Sequence, residues 1–248
     1  MRILALAIVL FASPAFAWEL GAMNRQIDAT NFLVNKSCSA TMIGPGELLT
    51  AAHCVVEQYR TVEKETVDKD GKVKKEKYQI AQPGDVSQLE FSGSFVAKTT
   101  TYTYKIAAID RALDLALLKT DAAIPGRRAA EIECNDVVRG DTIYAVGNSY
   151  GVLYSTVTRG IVSSVTRSYR DLQIAGQLGD TTDNGEHGLV QHSAPIAGGN
   201  SGGALYNDSG HIVGVNVRGT SSGGFSFAVP LSDVRSFLKE HDFAAECH

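Results

Sequence analysis

Apolar and polar residues alternate along this chain in short runs, and turn-forming residues separate the runs. SATMIG, GELLTAAH, YKIAAID, LALLKT, DTIYAVG, GIVSSVTR, HIVGVNV and FSFAVP each read as a strand bounded by Gly, Asn, Asp or Pro. Helical spacing is scarce. The exception is LSDVRSFLKEHDF near the end, where Val234, Phe237 and Leu238 share one face, Ser232 or Asp233 is the candidate cap, and His241 takes the next place on the stripe. The pattern predicts an all-β protein, as a sandwich or barrels, closed by a helix over about 232–245. Its length suits two barrels in series. The stretch from Thr61 to Phe95 is the least regular. Asp70 and Gly71 signal a hairpin turn there, and the mixture of Glu and Asp with Lys marks a solvated surface hairpin rather than a basic docking loop.

One run breaks the alternation. Arg2, the apolar stretch ILALAIVLFA and the small-residue ending SPAFA have the order of a secretory signal, with cleavage expected after Ala17. The run is shorter than the roughly 20 apolar residues that span a bilayer. The mature chain is therefore expected to be exported, secreted or periplasmic, with no membrane partner once the signal is removed. Without residues 1–17, 22 basic residues face 27 acidic ones, a net charge of −5. Such mild acidity gives no reason to expect nucleic acid as a partner. Cys38, Cys54, Cys134 and Cys247 all lie beyond the signal, and an even count in an exported chain favours disulfides. Three pairings are open. No CxxC or paired-histidine spacing supports zinc, and neither a metal nor a cofactor is expected.

The glycines of IAGGNSGGAL, around Ser201, raise the question of chemistry. A serine hydroxyl becomes a useful nucleophile only beside a base, and an attacked carbonyl needs donors where its oxygen becomes negative. Flanking glycines allow a sharp turn and let a substrate carbonyl approach the amides of Gly199 and Ser201. LLTAAHCVV supplies a candidate base, His53, at a strand end beside Cys54. DLALLK supplies Asp114 at the head of an apolar strand, where a carboxylate needs a partner. Asp110 is the other candidate acid, set before RAL in a position that reads as more exposed.

TAAHC, DLALLK and GNSGGAL, in the order His, Asp, Ser, resemble the trypsin-like, chymotrypsin-fold serine proteases. AVGNSYG, TVTRGIVSSVTR, NSGGALYNDSGHIVGVN and FSFAVP look most like the protease domain of the bacterial HtrA/Deg-type branch. The resemblance implies two six-stranded antiparallel barrels, over about 22–122 and 136–231, with a cleft between them and a C-terminal helix. It makes Ser201 the nucleophile, His53 the general base, Asp114 the residue that orients the imidazole, and the Gly199 and Ser201 amides the oxyanion hole. It pairs Cys38 with Cys54, and Cys134 with Cys247 to tie the second barrel to the tail. The implied activity is that of a serine endopeptidase acting on protein or peptide substrates.

Departures from the family pattern narrow this expectation. Asn200 stands where digestive proteases carry an aspartate that pairs with a freed N-terminal amine, and no IVGG start follows the signal. Pro195 stands where trypsins carry the acid that selects Arg or Lys. NVRGTSSGGFSF is expected to line the rest of the pocket, with Val217 among its residues, Gly219 leaving room and Phe225 filling it; Arg218 reads as an exposed arginine rather than a partner for an acidic substrate group. The 18 residues after FAVP are fewer than a PDZ domain needs, so the resemblance is to the protease domain without that appendage. GNSGG also fits the G-x-S-x-G elbow of α/β-hydrolases, but that reading needs a helix after the serine, and ALYNDSGHIVGV reads as a hairpin. The non-enzymatic alternative is an inactive trypsin-like scaffold acting as a binding module.

Overall fold

The computed structural model describes residues 27–30, 32–55, 58–67, 73–82, 84–92, 95–176, 187–220, 224–243 and 247. The signal segment and the Asp70–Gly71 turn lie outside these residues. Six strands close the first barrel: β1 (Phe32–Val34), β2 (Cys38–Gly44), β3 (Glu47–Ala51), β6 (Gly84–Ser92), β7 (Phe95–Asp110) and β8 (Leu115–Thr120). Between β3 and β6, β4 (Gln58–Val67) and β5 (Val73–Gln82) pair only with each other, as the interleaved charges predict. The second barrel is built from β9 (Thr142–Ser149), β10 (Leu153–Ser168), β11 (Gly188–His192), β12 (Ala204–Asn207), β13 (Ile212–Gly219) and β14 (Ser226–Pro230). The ladders of both barrels are antiparallel, and closure of each barrel removes its sheet edges. The expected all-β architecture of two six-stranded barrels and a closing helix is what the chain adopts.

Three local readings change. The 61–95 stretch is not all surface hairpin, because β6 is a wall of the first barrel, with Val86 and Gln88 buried. Gln88 escapes an alternation search because its inward polar side chain is satisfied by the Tyr102 hydroxyl, which donates to Gln88 Oε1 at 3.0 Å. A short helix, α1 (Tyr169–Ile174), follows β10, opened by a capping box in which Ser168 and Asp171 satisfy each other's backbone N–H groups. The closing helix, α2 (Leu231–Glu240), starts earlier than Ser232 or Asp233 would have it: Pro230, at the end of β14, is its N-cap, and Asp233 sits inside the first turn. It ends at the His241 C-cap, before Asp242 takes a left-handed φ of 56°.

Two apolar clusters hold the assembly. Leu205, Ala145, Val190 and Ala228 belong to the one inside the second barrel. The larger runs from the interior of the first barrel, through Leu48 and Leu118, across the interface to Val146, Tyr206 and Val217, and on to Val234, Phe237 and Leu238 of α2. Where the outer face of the second barrel packs against the first barrel and the helix, it is therefore apolar as well. Disulfides join Cys38 to Cys54 and Cys134 to Cys247.

Candidate active site

His53 sits in a single 3-10 turn (Ala52–Cys54) at the end of β3, with Ala52 and Cys54 buried on either side, so its own side chain faces solvent. The disulfide ties this turn to the start of β2. Asp114 closes the tight turn between β7 and β8 with a left-handed φ of 59°, a conformation that Asp tolerates better than most residues. The turn is braced by Asp110, whose Oδ1 accepts the N–H groups of Ala112 and Leu113 at 2.9 and 3.0 Å. The two aspartates are both half-buried, contrary to the expectation that Asp110 is the more exposed; their partners separate them. Asp114 Oδ1 accepts the His53 backbone N–H at 2.8 Å, Oδ2 lies 2.7 Å from His53 Nδ1, and the Asp114 carbonyl accepts the Ala52 N–H at 3.0 Å. A carboxylate can only accept, so Nδ1 carries a proton, and in the neutral ring Nε2 is the nitrogen with the free lone pair.

Ser201 lies across the interface, in the turns between β11 and β12. Its carbonyl accepts the Ser39 N–H at 2.8 Å and lies 3.7 Å from the disulfide sulfur of Cys54, so the serine backbone rests against the turn that carries His53. Its hydroxyl donates to the Val217 carbonyl at 3.2 Å, and among the described residues no hydrogen bond joins it to His53. The neighbouring glycines are compelled by close approach. Gly199 has φ +96°, and a Cβ there would sit 2.3 Å from the Asn148 carbonyl oxygen. Gly202 has φ +81°, and a Cβ would meet Thr50 Oγ1 at 2.1 Å and the Ser39 carbonyl oxygen at 2.2 Å.

The same turn leaves two donors unspent. Asn200 N–H donates to the Ala197 carbonyl at 3.1 Å, Gly202 N–H to Asn216 at 2.8 Å and Gly203 N–H to Asn200 at 3.0 Å. Among the described residues the N–H groups of Gly199 and Ser201 have no protein acceptor. Peptide planarity explains why: Gly198 O is held by the Tyr150 N–H and Asn200 O by the Gly203 N–H, so the Gly199 and Ser201 N–H groups, trans to those carbonyls, point the other way.

A family model for the trypsin-like peptidase domain matches residues 38–215. The chain belongs to this family. It is 36% identical over 154 residues to serine protease HTRA1B of Danio rerio, a match covering 59% of this chain and 29% of that protein. It is 34% identical over 149 residues to a probable periplasmic serine endoprotease DegP-like of Rickettsia prowazekii, covering 58% and 27%. The chain thus spans about a third or less of the length of these curated relatives. Among solved structures, its fold is similar to a serine endoprotease from Yersinia pestis, with a TM-score of 0.61 at 23% identity, covering 90% of this chain and 66% of that one. It is likewise similar to the HtrA-type protease AlgW with tripeptide, with a TM-score of 0.61 at 24% identity, covering 90% and 64%.

Within this trypsin-like peptidase domain, Asn200 is buried and its Oδ1 accepts the Ser149 hydroxyl at 2.7 Å. A neutral side-chain pair, Asn200 with Ser149, therefore stands at this position. Pro195 turns its carbonyl to the Thr158 hydroxyl at 2.7 Å. Val217 is buried, and Gly219 does not open free space: a Cβ there would meet the Ile196 carbonyl oxygen at 2.9 Å and Ile196 Cγ1 at 3.2 Å. Phe225 is 54% exposed, at the surface rather than packed into a pocket, and Arg218 is exposed beside it. The residue against Gly219 is Ile196, which carries no sequence signal beyond being the apolar position after Pro195.

His192, at the end of β11, also escaped the motif search. It is fully buried, and burial pushes its pKa down to about 4. The Ala194 backbone and the Asn216 side chain oppose that shift only weakly, because neither ring nitrogen has a partner at hydrogen-bond distance among the described residues. Cys38, His53 and Cys54 group closely enough to suggest metal ligands, but the two sulfurs are bonded to each other.

Proposed function

We propose that this chain is an exported serine endopeptidase with His53, Asp114 and Ser201 as its catalytic residues. The observation that carries the reading is the pairing of a histidine locked by its Nδ1–Asp114 bond with two unspent amides, those of Gly199 and of Ser201 itself. Rotation about χ1 takes the Ser201 hydroxyl from the Val217 carbonyl toward His53. Nε2 accepts its proton as Oγ attacks the scissile carbonyl, and the resulting oxyanion takes the Gly199 and Ser201 N–H groups. Asp114 stabilises the imidazolium. His53 then protonates the leaving amine, and water, deprotonated by the same histidine, releases the acyl group from Ser201.

Pro195, Ile196, Val217 and Gly219 carry no charge, which argues against Arg or Lys as the preferred residue before the cleaved bond. Export rests on the signal-like N-terminus, and periplasmic names among the relatives fit it.

The test is labelling with a peptide phosphonate. The chain should be modified at Ser201 and should cleave a peptide library, and Ser201→Ala should do neither. A folded protein that is neither labelled nor active would instead be a trypsin-like binding module.

A further inference from the structure

Ser39, one residue past Cys38 on β2, belongs to the first barrel and is fully buried. Every polar atom it has is engaged. Its N–H donates to the Ser201 carbonyl at 2.8 Å, and its carbonyl accepts the Thr50 hydroxyl at 2.7 Å. Its hydroxyl donates to the Gly199 carbonyl at 2.8 Å and accepts the Asn148 N–H at 2.8 Å. The proton assignment is forced, because an amide N–H can only donate and a carbonyl can only accept. One side chain therefore grips the carbonyl of Gly199, and the same residue's backbone grips that of Ser201. These are the two residues whose N–H groups are unspent.

We propose that Ser39 is a positioning residue for the oxyanion-binding turn, acting across the barrel interface on the second barrel's catalytic serine loop. Gly199 is the joint that makes a clamp necessary. A glycine at φ +96° has other backbone basins open to it, and rotation of the adjoining peptides would swing its N–H away from the cleft. The Tyr150 N–H fixes the peptide before Gly199 through the Gly198 carbonyl, and the Ser39 hydroxyl fixes the peptide after it through the Gly199 carbonyl. With both carbonyls held, the Gly199 N–H stays directed at the cleft before substrate arrives, which gives a donor its value at developing charge. The inference rests on the peptidase reading above.

The test separates transition-state from ground-state binding in Ser39→Ala. The probes are a fluorogenic peptide chosen from the cleavage library, a tripeptide boronate that forms a tetrahedral adduct on Ser201, and the matching tripeptide carboxylate. Protein concentrations are set by phosphonate titration of folded enzyme. Loss of the clamp should lower kcat by about ten- to a hundredfold, below the loss of a whole oxyanion donor, with KM little changed. Boronate affinity should fall in the same proportion, while the carboxylate binds as before. Should Ser39→Ala fail to fold, Ser39→Gly removes the same hydroxyl and leaves room for water, with the same losses expected. The inference is overturned if kcat and boronate affinity stay within twofold of the unmodified chain, or if carboxylate binding falls in parallel. An inactive, unlabelled parent protein would instead overturn the peptidase reading itself.

Discussion

The two barrels present opposite faces to the cleft. On the first, Asp114 is saturated: both carboxylate oxygens and its carbonyl are committed to the turn at residues 52 and 53. On the second, the turn around Ser201 keeps two N–H groups without a protein acceptor. Unpaired backbone donors are uncommon in folded chains, so a turn that keeps two side by side has to be prevented from relaxing. Saturation fixes direction on one side of the cleft, and restraint from outside preserves binding capacity on the other. Catalysis needs both, since an aimed base without a ready anion site, or the reverse, lowers the barrier only in part.

Removing the group that both sides serve should have the largest effect. Ser201→Ala should lower peptide hydrolysis by a factor on the order of 10⁶ while leaving the melting temperature nearly unchanged, as measured by turnover and calorimetry. Appreciable cleavage by this variant would put the nucleophile elsewhere.

Next comes the saturated side. Asp114→Asn keeps the size of the side chain but offers an amide where the ring N–H needs an acceptor, so it favours the wrong tautomer. Turnover should fall about 10⁴-fold. Asp110→Asn weakens only an Asx turn and should cost stability more than rate. The reverse ranking in paired kinetic assays would exchange the roles of the two acids.

A third change acts on the unspent donors directly. Gly199→Ala places a Cβ against the Asn148 carbonyl oxygen in a backbone conformation that L-residues avoid, so the turn must shift. Turnover should fall by about 10² to 10³, the loss expected for one oxyanion donor, with a lowered melting temperature from the strain. Unchanged boronate affinity in this variant would mean that the Gly199 amide is not a donor.

The contrast between the two sides also marks what the sequence could reveal. His53, Asp114 and Ser201 stand in short local motifs, and the choice of Asp114 over Asp110 followed from its place at the head of LALLK. The barrels were legible where a short alternating or apolar run is bounded by turn residues, as in SATMIG and LALLKT. They were hidden where a strand lies in a polar-rich segment and turns a long polar side chain inward, as β6 does with Gln88, or is as brief as the three residues of β1. Helix α1 carried its signal in the Ser168–Asp171 box, three positions apart, inside a segment that otherwise reads as loop. The cross-barrel contacts of Ser39 and the approach of Ile196 to Gly219 leave no local signature. They arise from the docking of segments distant in the chain, 160 residues apart for Ser39 and Gly199.

The smallest expected effect concerns a buried base that the cleft chemistry does not use. His192 is the buried last residue of β11, and its pKa is depressed to about 4 by burial. In the unfolded chain an ordinary histidine takes up its proton near pH 6.5, so between about 6.5 and 4 the unfolded state holds a proton that the folded state lacks. The contribution to stability is therefore complete above pH 6.5 and drains away as pH falls toward 4, by about 3 kcal/mol over that window. Urea unfolding at a series of pH values should show the parent protein losing that much more than His192→Asn, whose other acids titrate in common with it. Parallel curves for the two would mean that the imidazole is already paired or hydrated inside the barrel. A steeper loss in the variant would reverse the sign and place a protonated histidine there, stabilised by Asn216, the side chain that opposes the shift.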